Sequence, residues 1–282
     1  MKNFANQQQK AKLFFDLHHS GELLILPNIW EPLGALLLQE IGYKAIATAS
    51  ASMAFTQGHL DGEKMTFDDF LSQVTKIANA VSIPVSVDFE SGYSDSNEQL
   101  SQHINTLIDA GVIGINIEDS DKKTHRLLDY KTQAAKIKTI RETAQERDIH
   151  FFINARTDTY IYRKESSAED ILAETIERGL SYKEAGADCL YPIVMKKLQD
   201  IQTTVEAVKL PVNILTLQGI PSFNTLQKIG VARVSLGPAL LKYAIKSMKE
   251  LAEQLQHKEG LEAITENPIT SDFLEALIKN AK

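Results

Sequence analysis

Residues 110–119 read AGVIGINIED. A glycine just past a helix end takes the left-handed conformation without a Cβ penalty. The run behind it is apolar throughout rather than alternating, as expected for a parallel strand covered on both faces. The same unit recurs as IGYKAIATAS at 41–50, AGADCLYPIV at 185–194 and IGVARVSLG at 229–237. Between these units lie runs of like character: LLILPN at 23–28, VSVDFE at 85–90, FFINAR at 151–156 and PVNILT at 211–216. Together they give eight strands.

Helical stretches separate the strands at 31–40, 66–80, 98–109, 133–147, 168–184, 196–208 and 223–228, and a long one at 238–256 follows the last. Phe67, Phe70, Leu71, Val74 and Ile77 have helical spacing, with Thr66 placed as an N-cap before Asp68 and Asp69. Eight strand–helix units predict an α/β fold, a (β/α)8 TIM barrel, with 1–282 as a single domain and 257–282 as a C-terminal helical extension. Pro268 breaks that extension and a short helix is expected at 273–278. A doubly wound open sheet is the alternative, but no G-x-G-x-x-G follows the first strand.

The formal net charge of −7 and pI near 5.6 argue against a general nucleic-acid or anionic-membrane binder. One cysteine, Cys189, permits no intrachain disulfide and fits a reducing compartment. The N-terminus has no apolar signal core, and no run approaches the roughly 20 apolar residues of a membrane span. A cytoplasmic enzyme, with no membrane or nucleic-acid partner, is the expectation.

In such a barrel the chemistry gathers at the C-terminal strand ends. Strand three ends in Asp88 and Glu90, strand four in Glu118 and Asp119, and strand five in Asn154, Arg156, Thr157 and Asp158; strand seven carries Asn213, and the loop after strand two carries His59 and Asp61. Residues i and i+2 of a strand share a side, so Asp88 and Glu90 repel unless water or a cation screens them. Each has a plainer reading: Asp61 as a turn residue, Glu118 paired structurally with Arg156. As a set, like charges on one rim are costly without a counter-ion. They suit a divalent metal held largely through waters, with an anionic substrate bridging it and Arg156.

These residues carry a resemblance. VDFESGY at 87–93 is similar to the D-x-D-x-G-Y/F of the isocitrate lyase / phosphoenolpyruvate mutase superfamily, GINIEDS at 114–120 to its acid-pair strand, and INARTD at 153–158 to its arginine strand. The similarity runs from LPNIWEPLGALLLQEIGYKAIATAS at 26–50 to PVNILTLQGIPSFNTLQKIGVARVSLG at 211–237. It implies Asp88 as the direct ligand of Mg2+ (or Mn2+), with Asp61, Glu90 and Glu118 holding the ion's waters. It implies that Arg156 grips a carboxylate or phosphonate, that the N–H groups of Ser50 and Ala51 bind the carboxylate of a pyruvate-like unit, that Trp30 lines the pocket, and that Asn213 adds a polar contact.

The loop after strand four, EDSDKKTHRLLDY at 118–130, departs from the pattern. Lyases of the superfamily carry a cysteine general acid there, and here there is none; Cys189 reads as a buried structural thiol on the opposite rim. Mutase members use a lysine and an asparagine, and no asparagine matches. Lys122, Lys123 and His125 remain as catalytic candidates, with His125 also readable as a solvated loop residue, and residues 119–130 as a mobile lid. Glu90 replaces an aspartate, and Ala49 a serine.

The expectation is therefore a Mg2+-dependent lyase or phosphonomutase-like enzyme acting on a small 2-oxo acid or phosphonate through an enolpyruvate-type intermediate, by C–C or P–C cleavage or rearrangement. The alternatives are an oxo-acid decarboxylase and a non-catalytic small-dicarboxylate-binding barrel. Leu240, Leu241, Ala244, Ile245, Met248 and Leu251 form an apolar face that permits a homo-oligomer, dimer or tetramer.

Overall fold

The computed structural model describes residues 4–280. Eight parallel strands line up around a barrel. β1 comes in two pieces, Leu24–Leu26 and Asn28–Ile29, broken at Pro27. The others are β2 Ile46–Thr48, β3 Val85–Asp88, β4 Gly114–Glu118, β5 Phe152–Thr157, β6 Cys189–Pro192, β7 Asn213–Leu215 and β8 Arg233–Ser235. The second piece of β1 begins the order β1-β2-β3-β4-β5-β6, and its first piece pairs with β8, which pairs with β7. A parallel bridge between Leu190 and Val212 joins β6 to β7 and closes the ring. The fold is the α/β barrel of the sequence reading, and no G-x-G-x-x-G was needed to decide it.

Register sets what the barrel shows to its mouth. Asp88, Asn116, Asn154 and Cys189 are successive partners across β3 to β6. Two residues further along, Glu118, Arg156 and Tyr191 form the next row. The alternate residues Val87, Ile115, Ile117 and Ile153 are buried in one continuous core with Phe70, Val74, Ile104 and Ile137 of the surrounding helices. At Gly114 the sheet is tight: a Cβ there would lie 2.6 Å from the Phe152 carbonyl oxygen.

The helices match the sequence reading to within a few residues, and Thr66 caps Phe67–Ala80 by accepting from Asp69 N. Four elements were not expected. Helix Phe4–His18 packs Phe14 edge-on against Phe152 at the start of β5, with ring centroids 5.0 Å apart. Helix Ser50–Thr56 begins where the strand was expected to end. A single turn, Thr159–Tyr162, follows β5. The loop expected as a lid holds a small antiparallel hairpin, Ser120–Asp121 with Arg126–Leu127.

The long helix Ala239–Gln256 splits the expected apolar face. Leu241 is buried, while Ala244, Ile245 and Met248 are exposed. The C-terminal extension forms two helices, Leu261–Thr265 and Ser271–Asn280, rather than one. The second lies against helix Pro32–Ile41 of the same chain. Among the described residues no helix is long and apolar enough to cross a membrane.

Candidate active site

At the C-terminal rim of β3, Asp88 is held from three directions. Thr48 Oγ1 accepts its N–H at 3.0 Å. Ser50 donates to Asp88 Oδ2 through both N–H (3.2 Å) and Oγ (2.7 Å). Asn116 Nδ2 donates to Oδ1 at 3.4 Å, and Asn154 Nδ2 in turn donates to Asn116 Oδ1 at 2.7 Å. The Ser50 hydroxyl also reaches Asp61 Oδ1 at 3.5 Å, which ties the loop after β2 to the rim. The Ser50 N–H, expected to face a substrate carboxylate, is thus spent on Asp88. It lies there because Ser50 opens a helix instead of continuing the strand.

Glu90 lies two residues on, in a turn where the chain is left-handed at Glu90 (φ 49°), Gly92 (φ 108°) and Tyr93 (φ 51°). Such a φ is strained for a glutamate and persists only where the surroundings hold it. Here the Glu118 N–H donates to the Glu90 carbonyl at 2.8 Å, Tyr93 Oη donates to Oε1 at 3.0 Å, and the Glu63 N–H donates to Oε2 at 2.7 Å.

Glu118 is fully buried and is the hub of the site. Ser120 Oγ donates to Oε1 at 2.6 Å, Lys122 Nζ pairs with the same oxygen, and Arg156 Nη1 lies 2.8 Å from Oε2. Lys122 also lies 3.5 Å from Glu90 Oε2. On its other edge, the Arg156 guanidinium is clasped by Asp158, from Nε at 2.7 Å and Nη2 at 3.1 Å. Asp158 is fixed by its own N–H donating to Asp119 Oδ1, and Asp119 by Tyr182 and Arg178.

The electrostatics follow from this packing. Burial first, then the negative charges of Asp88, Glu118 and Asp61 against the relief from Lys122, push Glu90 up to about 8. Asp61, at the open edge, is raised by partial desolvation and then by Asp88. Burial works against Glu118, yet Arg156 and Lys122 hold it below the usual carboxylate range. Lys122 is raised, because Glu118 and Glu90 outweigh the desolvation of its ammonium. Burial lifts Asp158 to about 6 despite Arg156.

The structure therefore gathers Asp61, Asp88, Glu90, Glu118, Lys122, Arg156 and Ser50. It does not gather the other residues expected at the site. Lys123 is exposed and pairs with Asp95 at 2.6 Å, and His125 is exposed at the hairpin tip with φ 53°. The two follow Lys122 around a tight turn that points them to solvent. Trp30 lines a separate cleft with Glu31, Pro32 and Thr56. Asn213 is fully buried, with neither side-chain heteroatom partnered among the described residues. Cys189 is buried at the start of β6, where burial pushes its thiol up to about 12.

Sequence reasoning missed Asn116 and Arg233, and it placed Asp158 on the rim without giving it a role. Period-two alternation signals the first, since Asn116 and Glu118 share a side. Arg233 is fully buried in the barrel, donating from Nε to Ser235 Oγ at 3.0 Å and from Nη2 to Asn116 Oδ1 at 3.4 Å. Its Nη1 has no partner among the described residues.

The donor set fits a hydrated divalent cation. Asp61, Asp88, Glu90, Glu118 and Asp158 share two cations, Lys122 and Arg156, and burial first, then the neighbouring negative charge, raises Asp61 and Glu90. Hard divalent cations take oxygen ligands of this kind, directly or through water.

Residues 14–256 match the family model for phosphoenolpyruvate phosphomutase. The chain is 35% identical over 224 residues to an uncharacterized protein of Mycobacterium tuberculosis strain H37Rv, covering 79% of this chain and 81% of that protein. It is 29% identical over 231 residues to 2-methylisocitrate lyase of Escherichia coli K12, covering 78% and 74% respectively. A crystal structure from Burkholderia cenocepacia J2315, provisionally described as a phosphonomutase, superposes with a TM-score of 0.84 at 35% identity, covering 87% of this chain and all of that one. Other relatives are an oxaloacetate decarboxylase of Pseudomonas fluorescens and a phosphoenolpyruvate phosphomutase of Tetrahymena pyriformis, each 24% identical. With the family model spanning most of its length, the chain belongs to the phosphoenolpyruvate phosphomutase family.

Proposed function

We propose that the chain is a Mg2+-dependent enzyme, with Mn2+ as a substitute, that acts on a small 2-oxo acid and cleaves or rearranges the C–C or P–C bond next to its enolpyruvate unit, through an enolpyruvate-type intermediate. The observation that carries this reading is the crowding of Asp61, Asp88, Glu90 and Glu118 around one rim, beside Arg156. Asp88 would hold the ion, and Asp61, Glu90 and Glu118 its waters. The ion, when bound, supplies a positive centre for the charge that develops on an enolate oxygen.

The chain's own groups do the rest. Arg156 meets the anionic end of the substrate. Three of its nitrogens are engaged by Asp158 and Glu118, which locks the plane of the guanidinium. A guanidinium has five N–H donors, so some remain for a carboxylate or phosphonate. Charge fixed in place before reaction stabilises the transition state without reorganisation. Despite the desolvation of its ammonium, pairing with Glu118 and Glu90 raises Lys122, which suits it to donate hydrogen bonds and not to act as a base. Of the three loop candidates, Lys122 is the one whose side chain reaches Glu90 and Glu118.

The absent loop cysteine supports a second reading, decarboxylation. Loss of CO2 leaves an enolate that can take its proton from solvent, whereas C–C cleavage by a lyase leaves a second, carbanionic fragment that an acid of the site must protonate.

The test is turnover of oxaloacetate, phosphonopyruvate and 2-methylisocitrate with and without Mg2+, on the wild type and on Asp88→Ala. Loss of at least about a thousandfold in a folded Asp88→Ala protein is expected, since it removes the centre that stabilises developing charge. Activity surviving in that variant overturns the assignment. Ligand binding with no turnover of any substrate would favour a non-catalytic barrel.

A further inference from the structure

Lys122 opens the turn between the two hairpin strands, and its side chain runs inward rather than to solvent. Its ammonium pairs with Glu118 Oε1 and lies 3.5 Å from Glu90 Oε2. Its stem passes Gly62, with Cδ 3.9 Å from where a Cβ of that glycine would stand, beside Asp61. The ammonium-bearing side chain is 21% exposed, and the two glutamates it meets are 4% and 1% exposed. Neighbouring lysines are spent elsewhere: Lys123 on Asp95, and Lys136 on the Ser91 carbonyl.

Buried carboxylates this close need a counter-charge. A lysine ammonium is a compact point charge on a flexible stem, and a hard divalent ion with its water shell seeks the same oxygens. Ammonium and hydrated ion therefore compete for the charge of Glu90 and Glu118.

We propose that Lys122 is a tethered occupant of the divalent-cation site. It neutralises Glu90 and Glu118 when no metal is bound, and metal binding displaces its ammonium from them. The inference rests on the metal-dependent reading above. It adds that metal affinity is set by competition from within the chain, and that loading frees a protonated amine at the mouth of the barrel.

The experiment is calorimetric titration of the full chain with Mg2+ and with Mn2+, on the wild type, Lys122→Met, Lys122→Gln and Lys123→Met, each checked for folding by circular dichroism. The two Lys122 variants should bind metal about tenfold more tightly or better, within the range of ordinary coupling between sites. Without metal their thermal midpoints should fall below the wild type, and saturating metal should close the gap. Lys123→Met, which removes the same charge one residue away, should change affinity by less than about twofold, as an exposed pair on Asp95 is weakly coupled. Equal or weaker binding in folded Lys122 variants overturns the proposal. So does equal tightening in Lys123→Met, which would mark a general field effect. Failure of both wild type and variants to bind metal overturns the metal-dependent reading itself. Binding to the wild type that the Lys122 changes leave untouched overturns only this inference.

Discussion

Asp158 grips Arg156 from two positions along the same strand end, with Oδ1 2.7 Å from Nε and Oδ2 3.1 Å from Nη2. The pair fixes the plane of the guanidinium, and with it the direction in which Arg156 would meet the proposed substrate. Asp158→Asn keeps the shape of the side chain and removes one of the two acceptors. KM for the 2-oxo acid should rise about tenfold or more, the scale of losing one charge-assisted hydrogen bond. Steady-state kinetics check this, and an unchanged KM would refute the role. Arg156→Lys, which loses the planar fork, should be worse.

Asn116 links Asp88 to the barrel floor. Its amide donates to Asp88 and accepts from Asn154 and Arg233. Asn116→Ala should weaken Mg2+ binding by about tenfold to a hundredfold, the usual cost of losing a partner that orients a ligand. Calorimetric titration measures it, and binding at wild-type strength would show that Asp88 needs no such support.

His18 gives the fold a pH dependence. It is buried, Nδ1 contacts the Phe14 carbonyl at 2.8 Å, and Nε2 has no partner among the described residues. Burial, then the nearby Arg233 charge, lowers its pKa from 6.5 to about 3. Between those values the unfolded chain binds the extra proton, so stability rises with pH. The contribution is complete above pH 6.5 and is lost as pH falls toward 3, at roughly 1.4 kcal/mol per unit. Urea unfolding at pH 5 and pH 7 should show a difference that shrinks by roughly 2 kcal/mol in His18→Gln. An unaltered difference would exclude His18 as its source.

Gly114 lets β4 and β5 approach. Gly114→Ala forces a Cβ to within 2.6 Å of the Phe152 carbonyl oxygen and 2.8 Å of its Cβ. Backbone cannot step aside as a flexible side chain would, so a cost of about 2–3 kcal/mol is expected, at the upper end of overpacking. A thermal melt would read this as a drop of roughly 4–12 °C for a chain of this size. A midpoint within a degree of wild type would mean that the strands separate freely.

The strands were legible because a parallel strand covered on both faces must be apolar throughout, and a glycine marks the turn before four of them. The rim was legible for the same reason in reverse: Asp88, Glu90, Glu118 and Arg156 are the polar residues that end those runs. Helix Phe4–His18 was not, because Phe14 and Ala11 bury a narrow stripe among glutamines and lysines. Helix Ser50–Thr56 begins on small residues that read equally well as the end of β2. Lys122, Lys123 and His125 stand within four residues of one another, and composition cannot say which points inward. The hairpin turn decides it, and two-residue strands leave no periodicity to read.

Arg233 has a consequence beyond the fold. Its guanidinium lies wholly inside the barrel, and among the described residues it has amide and hydroxyl acceptors but no paired carboxylate. With the acids at the rim and this charge beneath them, the barrel axis is electrically polarised, positive at the floor and negative at the lip. An anion bound at the rim, as proposed, would feel the acids of the lip repel it and the buried arginine draw it inward, and a cation held by those acids would offset the repulsion.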